Sequence, residues 1–286
     1  MNIKRVACGL CAAMMLAAVA TGCGSSTSSA AASSESAAAS SASGLNGTVA
    51  TGGSTSMEKV MSALQEAYAE MEPDVTVTYD PTGSGAGITG ATDKTLDIGL
   101  SSRKLKDGET GVTATTIALD GIAIIVNNAN PVQDLTIDQI AKIATGEVTN
   151  WKDVGGEDAP IVLIGREAGS GTRDGFESIV GVADKCQYAQ ELTSTGAVIT
   201  GVAANNGAIG YASLSALKNT VKAVTVEGIA CTEETVLDGT YKIQRPFNFV
   251  TNDSVTPSNA VQSFIDFATS AEAADLIRAA GAVPMA

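Results

Sequence analysis

Three short clusters of Gly, Ser and Thr, each placed between a β-rich run and a helical pattern, constrain the fold of this chain more than any other feature. They occupy residues 52–56, 82–87 and 165–173. Glycine permits tight turns and a close approach of the backbone, hydroxyl groups donate hydrogen bonds, and helix N-termini point N–H groups outward. In an α/β sheet such loops gather at the carboxyl ends of the strands. The pattern predicts an α/β fold in which three loops converge on a donor-lined anion pocket.

Strand-like and helical runs alternate along the rest of the chain, as expected for central sheets flanked by helices. Strands are predicted at residues 48–51, 75–79, 97–100, 117–126, 161–165, 209–212 and 247–251, and a helix is predicted at residues 57–68. A capping box at residues 136–139 predicts a further helix that ends at Gly146. Near the C-terminus, Thr256 followed by Pro257 predicts the start of one helix, and Ser270 caps the next.

The first 23 residues predict export. Lys4 and Arg5 precede an apolar run over residues 6–20, and small residues close this run before Cys23. A membrane span needs about 20 apolar residues, so the shorter run predicts a secretory signal peptide over residues 1–22. The residues just before Cys23 resemble the cleavage box of bacterial lipoproteins, which implies a diacylglycerol group on the Cys23 thiol and cleavage before it. Two acyl chains suffice for stable anchoring.

The segment that follows Cys23 has too little apolar character to build a core. Residues 24–43 contain ten Ser and seven Ala. Such a composition predicts a disordered tether, which together with the lipidated cysteine occupies residues 23–44. The folded part is then expected to run from residue 45 to residue 286.

The charge and the absence of histidine exclude several classes of function. Loss of residues 1–22 removes Lys4 and Arg5, so that 15 basic and 31 acidic side chains remain, which argues against nucleic acid as a partner. The chain has no His, which rules out Ser–His and Cys–His catalysis and histidine metal sites. Neither a P-loop nor a G-x-S-x-G motif occurs. We therefore expect no enzymatic activity, no metal and no cofactor.

The pairing of the cysteines is left open by the sequence. Cys8 and Cys11 form a C-x-x-C inside the predicted signal peptide, so we assign them no redox or metal role. Cys186 and Cys231 remain in the exported chain, where the compartment permits a disulfide. Two separate buried thiols fit the same sequence, because free cysteine is commonly a core residue.

Several segments, in order along the chain, are similar to the phosphate-binding protein of the high-affinity phosphate ABC importer. These segments are residues 53–55, 83–87, 97–103, 120–123, 146–151, 166–172 and 207–211. The pattern Arg-x-x-x-Ser-Gly-Thr at residues 166–172 is the most specific of them, whereas the Gly/Ser loops alone are weaker. The resemblance spans essentially the whole mature domain.

The resemblance implies a two-lobed periplasmic-binding-protein fold of type II, with two mixed sheets flanked by helices and the ligand between the lobes. Two hinge crossovers are expected, near residues 121–126 and 245–249. Lobe 1 would comprise residues 45–122 and the return segment 247–286, and residues 123–246 would form lobe 2. Closure around the ligand would be a hinge motion.

Carried over by motif, the resemblance implies a ligand site made of hydroxyls, backbone N–H groups and arginine. Its phosphate-binding residues would be Thr55, Ser56, Ser84, Ser102, Arg166, Ser170, Gly171 and Thr172, with Ser54, Asp120 and Arg173 as further candidates. The guanidinium group is a planar fork of donors suited to tetrahedral oxyanions. For any single Ser or Thr the alternative is a helix N-cap, and for Arg173 it is a surface salt bridge.

Residue 102 departs from the family pattern. In the best-known branch of the family an Asp occupies this place and accepts the proton of monohydrogen phosphate, whereas Ser102 carries no charge. An Asp there rejects fully ionised sulfate, because two acceptors face each other with no hydrogen to share. Asp120, at the end of the strand that enters the hinge, is our candidate substitute, and Asp80 is the second.

The function implied by the resemblance is extracytoplasmic binding of inorganic phosphate and its delivery to the permease subunits of an ABC importer. The protein is expected to be a monomer, held by the lipid on Cys23 at the outer face of a bacterial cell membrane. Three alternatives remain open. The ligand could be a related oxyanion such as molybdate, tungstate or sulfate, and the protein could instead be a surface phosphatase or a structural or adhesive surface protein.

Overall fold

The computed structural model describes residues 44–285. The predicted signal peptide of residues 1–22, Cys23 and the tether up to residue 43 therefore lie outside the described residues. The strands are β1 (Gly47–Gly53), β2 (Val75–Asp80), β3 (Ile98–Ser101), β4 (Val112–Asn127), β5 (Asp134–Leu135), β6 (Val162–Arg166), β7 (Gln190–Leu192), β8 (Ala208–Ser213), β9 (Val221–Ala223), β10 (Thr225–Val226), β11 (Gln244–Asn252) and β12 (Val283–Pro284). The helices are α1 (Glu58–Met71), α2 (Ser84–Thr92), α3 (Ile137–Ala144), α4 (Gly171–Val180), α5 (Thr195–Ala204), α6 (Glu233–Leu237), α7 (Asn259–Ala268) and α8 (Ala271–Ala279). Short 3₁₀ helices lie at Thr55–Met57, Trp151–Val154 and Leu214–Ala216.

Most of the strands form one mixed sheet in the order β2-β1-β3-β11-β4-β8-β6-β7. At each end of the sheet the strands pair in parallel, β1 with β2 and β3, and β6 with β7 and β8. In the centre, β11 and β4 run antiparallel to each other and to their outer neighbours β3 and β8. β9 and β12 also pair with β4, while β5 and β10 form a separate two-stranded sheet. Two groups of strands are therefore joined through β4.

β4 changes its partner strand partway along its length. Up to Gly121 it pairs with β11, whose first residue Gln244 faces Gly121, and from Ile122 onward it pairs with β8. A Cβ at Gly121 would overlap the Sγ atom of Cys231, so glycine is needed where the strand passes close to that side chain. The change of partner lies within the predicted crossover region of residues 121–126.

Each strand group packs helices around its own hydrophobic core. Beside β1, β2 and β3, Tyr68 of α1 packs edge-on against Phe264 of α7, with ring centroids 5.1 Å apart. Beside β6 and β8, Phe176 of α4 stacks on Tyr211, with centroids 4.3 Å apart. Such aromatic pairs add to the stabilisation that the burial of their area provides. The predicted mixed α/β architecture with flanking helices is confirmed.

Helix starts follow the side chains that can cap them. The predicted capping box at residues 136–139 opens α3. The helix predicted to start at Thr256 begins instead at Asn259, so that prediction is wrong. The physical reason is that the Ser258 hydroxyl accepts the backbone N–H of Val261 and fixes the N-cap there.

α5 was missed by the sequence reasoning. It contains two glycines and apolar residues on all sides, so it shows no amphipathic period. The Ser194 hydroxyl caps it by accepting the N–H of Ala197. Within residues 44–285 no helix has both the length and the apolar character that a membrane crossing requires.

Cys186 and Cys231 are both free thiols in the structure. Cys231 is buried beside β4, while Cys186 is half-buried and donates weakly to the carbonyl of Val182. Burial raises the pKa of the Cys186 thiol to about 11. The sequence left open a disulfide or two separate thiols, and the structure shows two separate thiols.

Candidate functional site

The three Gly/Ser/Thr clusters of the sequence meet at one buried place. The first leads from β1 towards α1, the second from β2 into α2, and the third from β6 into α4. One hydroxyl from the loop after β3 and one from the start of α5 join them. These seven buried side chains, called the hydroxyl cluster from here on, are Ser54, Thr55, Ser56, Ser84, Ser102, Thr172 and Thr195.

Ser102 is the centre of one half of the hydroxyl cluster. Its Oγ atom accepts a 2.8 Å hydrogen bond from the Ser54 hydroxyl and lies 3.2 Å from Oγ of Ser84. Oγ of Ser84 in turn accepts the backbone N–H of Ser102 at 3.0 Å. The first and second loops are thereby tied to the residue that follows β3.

Thr195 is the centre of the other half. Its Oγ1 atom lies 3.2 Å from Oγ1 of Thr55 and 3.1 Å from Oγ of Ser56. Oγ of Ser56 also lies 2.8 Å from Oγ1 of Thr172, near the start of α4. These hydrogen bonds connect the first loop to α4 and α5, which pack on the other strand group.

Arg166 reaches the hydroxyl cluster from the end of β6. Its Nε and Nη2 atoms donate to the two carboxylate oxygens of Glu167 at 2.8 Å each, and its Nη1 atom donates to Oγ1 of Thr195 at 3.2 Å. The Arg166 side chain is only 2% exposed, so its electric field is little screened by water. One N–H group of this arginine therefore faces the cluster, while Glu167 balances the charge.

Arg245 on β11 brings a second cation, to which the sequence reasoning assigned no role. It is the cross-strand partner of Asp120 on β4. Its Nε and Nη2 atoms donate to Oδ2 of Asp120 at 3.2 and 3.0 Å, and its Nη1 atom donates to Oγ of Ser102 at 3.1 Å. Burial raises the pKa of the Asp120 carboxyl, and the Arg245 guanidinium and the Ser213 hydroxyl oppose that shift. Arginine stays charged at neutral pH even when buried.

Asp120 and Asp80 were predicted as readers of the ligand proton. Oδ2 of Asp120 accepts from Arg245, and Oδ1 accepts the Ser213 hydroxyl at 2.7 Å. Asp80 is exposed at the end of β2. Among residues 44–285, neither carboxylate hydrogen bonds to a member of the hydroxyl cluster. The proton-reading role therefore stays a prediction, and the observed link from Asp120 to the cluster runs through Arg245.

The N-termini of α2 and α4 face each other across the site. The backbone N–H of Gly85 donates to the carbonyl of Gly169 at 2.9 Å. A Cβ on Gly171 would overlap Oγ of Ser84 and lie 2.6 Å from Oγ of Ser102, so this approach requires glycine. Helix N-termini present unpaired N–H groups and partial positive charge, which favours an anion between them.

Two further predicted ligands have partners of their own. Oγ of Ser170 accepts the backbone N–H of Arg173 at 3.4 Å and is the N-cap of α4. The Arg173 guanidinium donates to Glu177 at 2.8 Å, pairs with Glu191 at 3.1 Å and lies over the Tyr188 ring. In the structure, Ser170 therefore makes the contact of a helix N-cap, and Arg173 makes the contacts of an ion pair. These are the alternatives to ligand binding that the sequence left open for the two residues.

Thr195 and Arg245 were missed for different reasons. Residues 193–196 read Thr-Ser-Thr-Gly and follow β7, so they repeat the signal of the other three clusters in a shorter form. Arg245 stands in a strand, next to Pro246, with no motif around it. Its role depends on pairing with Asp120, 125 residues away in the sequence, which no local pattern can reveal.

The arrangement offers a tetrahedral oxyanion donors of three kinds. Hydroxyl groups come from both strand groups, N–H groups come from the helix N-termini, and one guanidinium N–H comes from each of Arg166 and Arg245. In a buried site such donors act at low dielectric and strengthen each interaction with an anion. Each cation has its own carboxylate, so the two ion pairs are formally neutral together.

Comparison with known proteins agrees with this fold. Residues 27–272 match the family model of the PBP superfamily domain. The phosphate-binding protein PstS of Borreliella burgdorferi is 31% identical over 247 residues, which cover 82% of this chain and 88% of that protein.

Two solved structures are similar over nearly their whole length. One, described as a phosphate ABC transporter substrate-binding protein from Clostridium perfringens with bound phosphate, is 41% identical, with a TM-score of 0.79, and covers 84% of this chain and 100% of its own. The other, an ABC-type phosphate transport receptor from Vibrio cholerae, is 36% identical, with a TM-score of 0.69. The match covers 82% of this chain and 99% of the receptor. The chain therefore belongs to the PBP superfamily and, within it, to the non-enzymatic substrate-binding proteins of phosphate ABC transporters.

Proposed function

We propose that this chain captures inorganic phosphate outside the cytoplasm and delivers it to the permease subunits of a phosphate ABC importer. The observation that carries the proposal is the convergence of seven buried hydroxyls with the N-termini of α2 and α4 and with Nη1 of Arg166. The relatives named above, one of them determined with bound phosphate, support the same ligand.

The ligand would replace hydrogen bonds that the hydroxyls now make with one another. The pairs Ser56–Thr172 and Ser84–Ser102 each join hydroxyls from different loops, and each hydroxyl has a proton that can turn to a phosphate oxygen. The residues proposed to bind phosphate are Thr55, Ser56, Ser84, Ser102, Arg166, Ser170, Gly171, Thr172 and Thr195. Ser54 would act through Ser102, and Gly171 would contribute its backbone N–H at the start of α4.

A cavity of about 410 Å³ is the proposed entrance for the anion. Thr55, Ser56 and Thr195 line it, so it reaches the hydroxyl cluster. Lys59 and Lys218 also line it, together with Glu58. Two ammonium groups at the mouth would favour the approach of an anion by long-range attraction, although the chain as a whole is acidic.

The lobes are proposed to be residues 45–122 with 247–286, and residues 123–246. The existence of two separate hydrophobic cores on the two strand groups supports this division. The hydroxyl cluster draws on both groups, so a hinge motion at β4 and β11 would open it to solvent and close it over the ligand.

Export and anchoring are proposed from residues outside the described part of the chain. A signal peptide of residues 1–22 would be removed, Cys23 would carry the lipid, and residues 23–44 would tether the folded part to the outer face of the membrane. Mass spectrometry of the N-terminal peptide from the membrane fraction tests this, because lipidation gives a diacylglyceryl-Cys23 peptide. An N-terminus at Met1 or an unmodified Cys23 would contradict it.

Size-exclusion chromatography with light scattering tests the proposed monomer.

The test of function is calorimetric titration of the full chain after ligand has been stripped by unfolding, dialysis and refolding. Phosphate is expected to bind with a stoichiometry of one. Thr172→Val, which removes one hydroxyl of the cluster, is expected to weaken phosphate binding at least about tenfold. Thr92→Val, at the exposed C-terminal end of α2, should bind as the parent does. Binding of molybdate but not of phosphate would favour the alternative oxyanion, and no binding of either would refute the proposal.

A further inference from the structure

Two buried arginines of the site use their three nitrogens in the same way, two for a carboxylate and one for a hydroxyl. Arg166 holds Glu167 with Nε and Nη2 and donates from Nη1 to Oγ1 of Thr195. Arg245 holds Asp120 with the same two nitrogens and donates from Nη1 to Oγ of Ser102. The first pair belongs to the most specific family motif, whereas the second pair joins Asp120, in the similar segment 120–123, to Arg245, which lies in none of the similar segments.

The hydrogen bonds of Ser102 fix what its hydroxyl can offer a ligand. A hydroxyl oxygen has two acceptor sites and one proton. The Ser54 hydroxyl fills one acceptor site at 2.8 Å, and Nη1 of Arg245 fills the other at 3.1 Å. What remains is the Ser102 proton, and among residues 44–285 the Ser84 hydroxyl, with its Oγ atom 3.2 Å away, is the partner left for it. Towards an anion in the cleft, Ser102 is therefore a donor.

The two carboxylates beside the site, those of Asp120 and Glu167, already accept hydrogen bonds on both of their oxygens. Oδ2 of Asp120 accepts two N–H groups of Arg245, and Oδ1 accepts the Ser213 hydroxyl. Both oxygens of Glu167 accept from Arg166. Neither carboxylate hydrogen bonds to the hydroxyl cluster within residues 44–285. The other hydroxyls of the cluster can rotate either to donate to a ligand or to accept from it.

We propose that Arg245 is a specificity-determining residue, which holds Ser102 as a donor and so lets the cleft take fully ionised tetrahedral dianions such as sulfate as well as monohydrogen phosphate. The inference rests on the proposed phosphate function. A carboxylate facing the ligand would repel a dianion that has no proton to share. A site of donors and rotatable hydroxyls carries no such penalty, because Ser102 donates to an ionised oxygen and each of the other hydroxyls can match either a protonated or an ionised one.

The first test is competition at the stripped full chain. Phosphate is bound first, and sulfate is then titrated by calorimetric displacement at constant ionic strength and pH, with chloride as the control anion. We expect sulfate to displace phosphate with an affinity within about 100-fold of that of phosphate. The reason is that exchanging phosphate for sulfate would leave at most one buried polar group of the site without a hydrogen-bond partner. The inference would be overturned if a thousandfold excess of sulfate failed to displace phosphate, since this would mean that the site prefers phosphate by about 4 kcal/mol or more.

The second test assigns the effect to Arg245. The double variant Arg245→Gln/Asp120→Asn removes both charges together, so that neither is left buried alone. Gln is too short to reach both residue 120 and Ser102, so Ser102 regains an acceptor site. We expect the ratio of sulfate affinity to phosphate affinity to fall at least about tenfold. A purely structural role would lower both affinities in proportion and leave the ratio unchanged, which would overturn the assignment.

The control is Arg278→Gln/Asp275→Asn, which removes an exposed pair on α8 and is expected to leave both affinities unchanged. If thermal melting shows that the buried double variant does not fold, Arg245→Lys serves instead, because an ammonium group keeps a charge beside Asp120 without the second arm that reaches Ser102. The same fall in the ratio is expected for it, and an unchanged ratio overturns the proposal. Loss of binding of both anions by the parent chain would instead refute the proposed function.

Discussion

Oδ2 of Asp174, on α4, lies 2.9 Å from Nε of Arg103, in the loop that follows β3, and this ion pair links the two strand groups. Nζ of Lys106 approaches the same oxygen at 2.8 Å. The Arg103 guanidinium is held in place by two hydrogen bonds to Glu109. The pair lies outside the hydroxyl cluster, so it can hold the two strand groups together without touching a ligand in the cluster.

Asp174→Asn is expected to weaken phosphate binding and to speed its dissociation about fivefold, because a half-buried ion pair contributes about 1 kcal/mol. The measurement is the release of labelled phosphate into an excess of unlabelled phosphate. Asp158→Asn is the control, since it removes an exposed pair with Lys152 and should leave the release rate unchanged. Equal release rates for Asp174→Asn and the parent would show that this pair does not help to retain the ligand.

Gly171→Ala is expected to reduce phosphate affinity about 100-fold, because the added methyl group would occupy the space between α4 and the hydroxyls of Ser84 and Ser102. Gly108→Ala, in the exposed loop before β4, is the control, because a Cβ there would meet no atom within 4 Å. Parental affinity in Gly171→Ala would mean that the ligand-bound state keeps these helices further apart.

Thr195→Val is expected to weaken phosphate binding about tenfold or more, because it removes the hydroxyl that receives Nη1 of Arg166 and contacts Thr55 and Ser56. Valine has nearly the shape of threonine, so the change acts through the lost hydroxyl. Thr92→Val is the control, because Thr92 is exposed and its hydroxyl donates to the Ile88 carbonyl of its own helix, and calorimetry measures both variants. Unchanged affinity in Thr195→Val would remove this residue from the proposed site.

The stability of the fold in acid is expected to depend on Glu109. Hydrogen bonds from the Arg103 guanidinium hold the pKa of this carboxyl below its ordinary value of 4.5, against the opposing effect of burial. The unfolded chain then takes up the proton at a higher pH than the folded chain. The stabilisation is therefore complete above the unfolded pKa and is lost as the pH falls through the folded one.

Glu109→Gln is thus expected to lower the melting temperature at neutral pH and to flatten its dependence on pH below 4.5. Calorimetric melts of the parent and the variant between neutral and acidic pH measure both effects. Glu70→Gln, at an exposed position on α1, is the control and should follow the parent curve. Equal slopes for Glu109→Gln and the parent would contradict the assignment.

The sequence predicted those parts of the site that carry a local signal. The three Gly/Ser/Thr clusters precede helices and meet as expected, because the turns that glycine permits and the caps that hydroxyls provide are local properties. Thr195 escaped notice because α5 has no amphipathic period. Arg245 escaped notice because its role is created by pairing across a sheet. Arg173 was predicted as a ligand because it stands close to Arg166 in the sequence. Its guanidinium group instead pairs with Glu177, one helical turn further along α4.

Asp120 and Arg245 occupy directly opposite positions in the ladder between β4 and β11. Both strands pass through the region where the two strand groups are joined, so we expect a rotation of one group against the other to leave this pair intact. The guanidinium group of the pair would then already be in place beside Ser102 in an open cleft. An arriving anion would meet a field that is set in advance, and only the hydroxyls would have to turn.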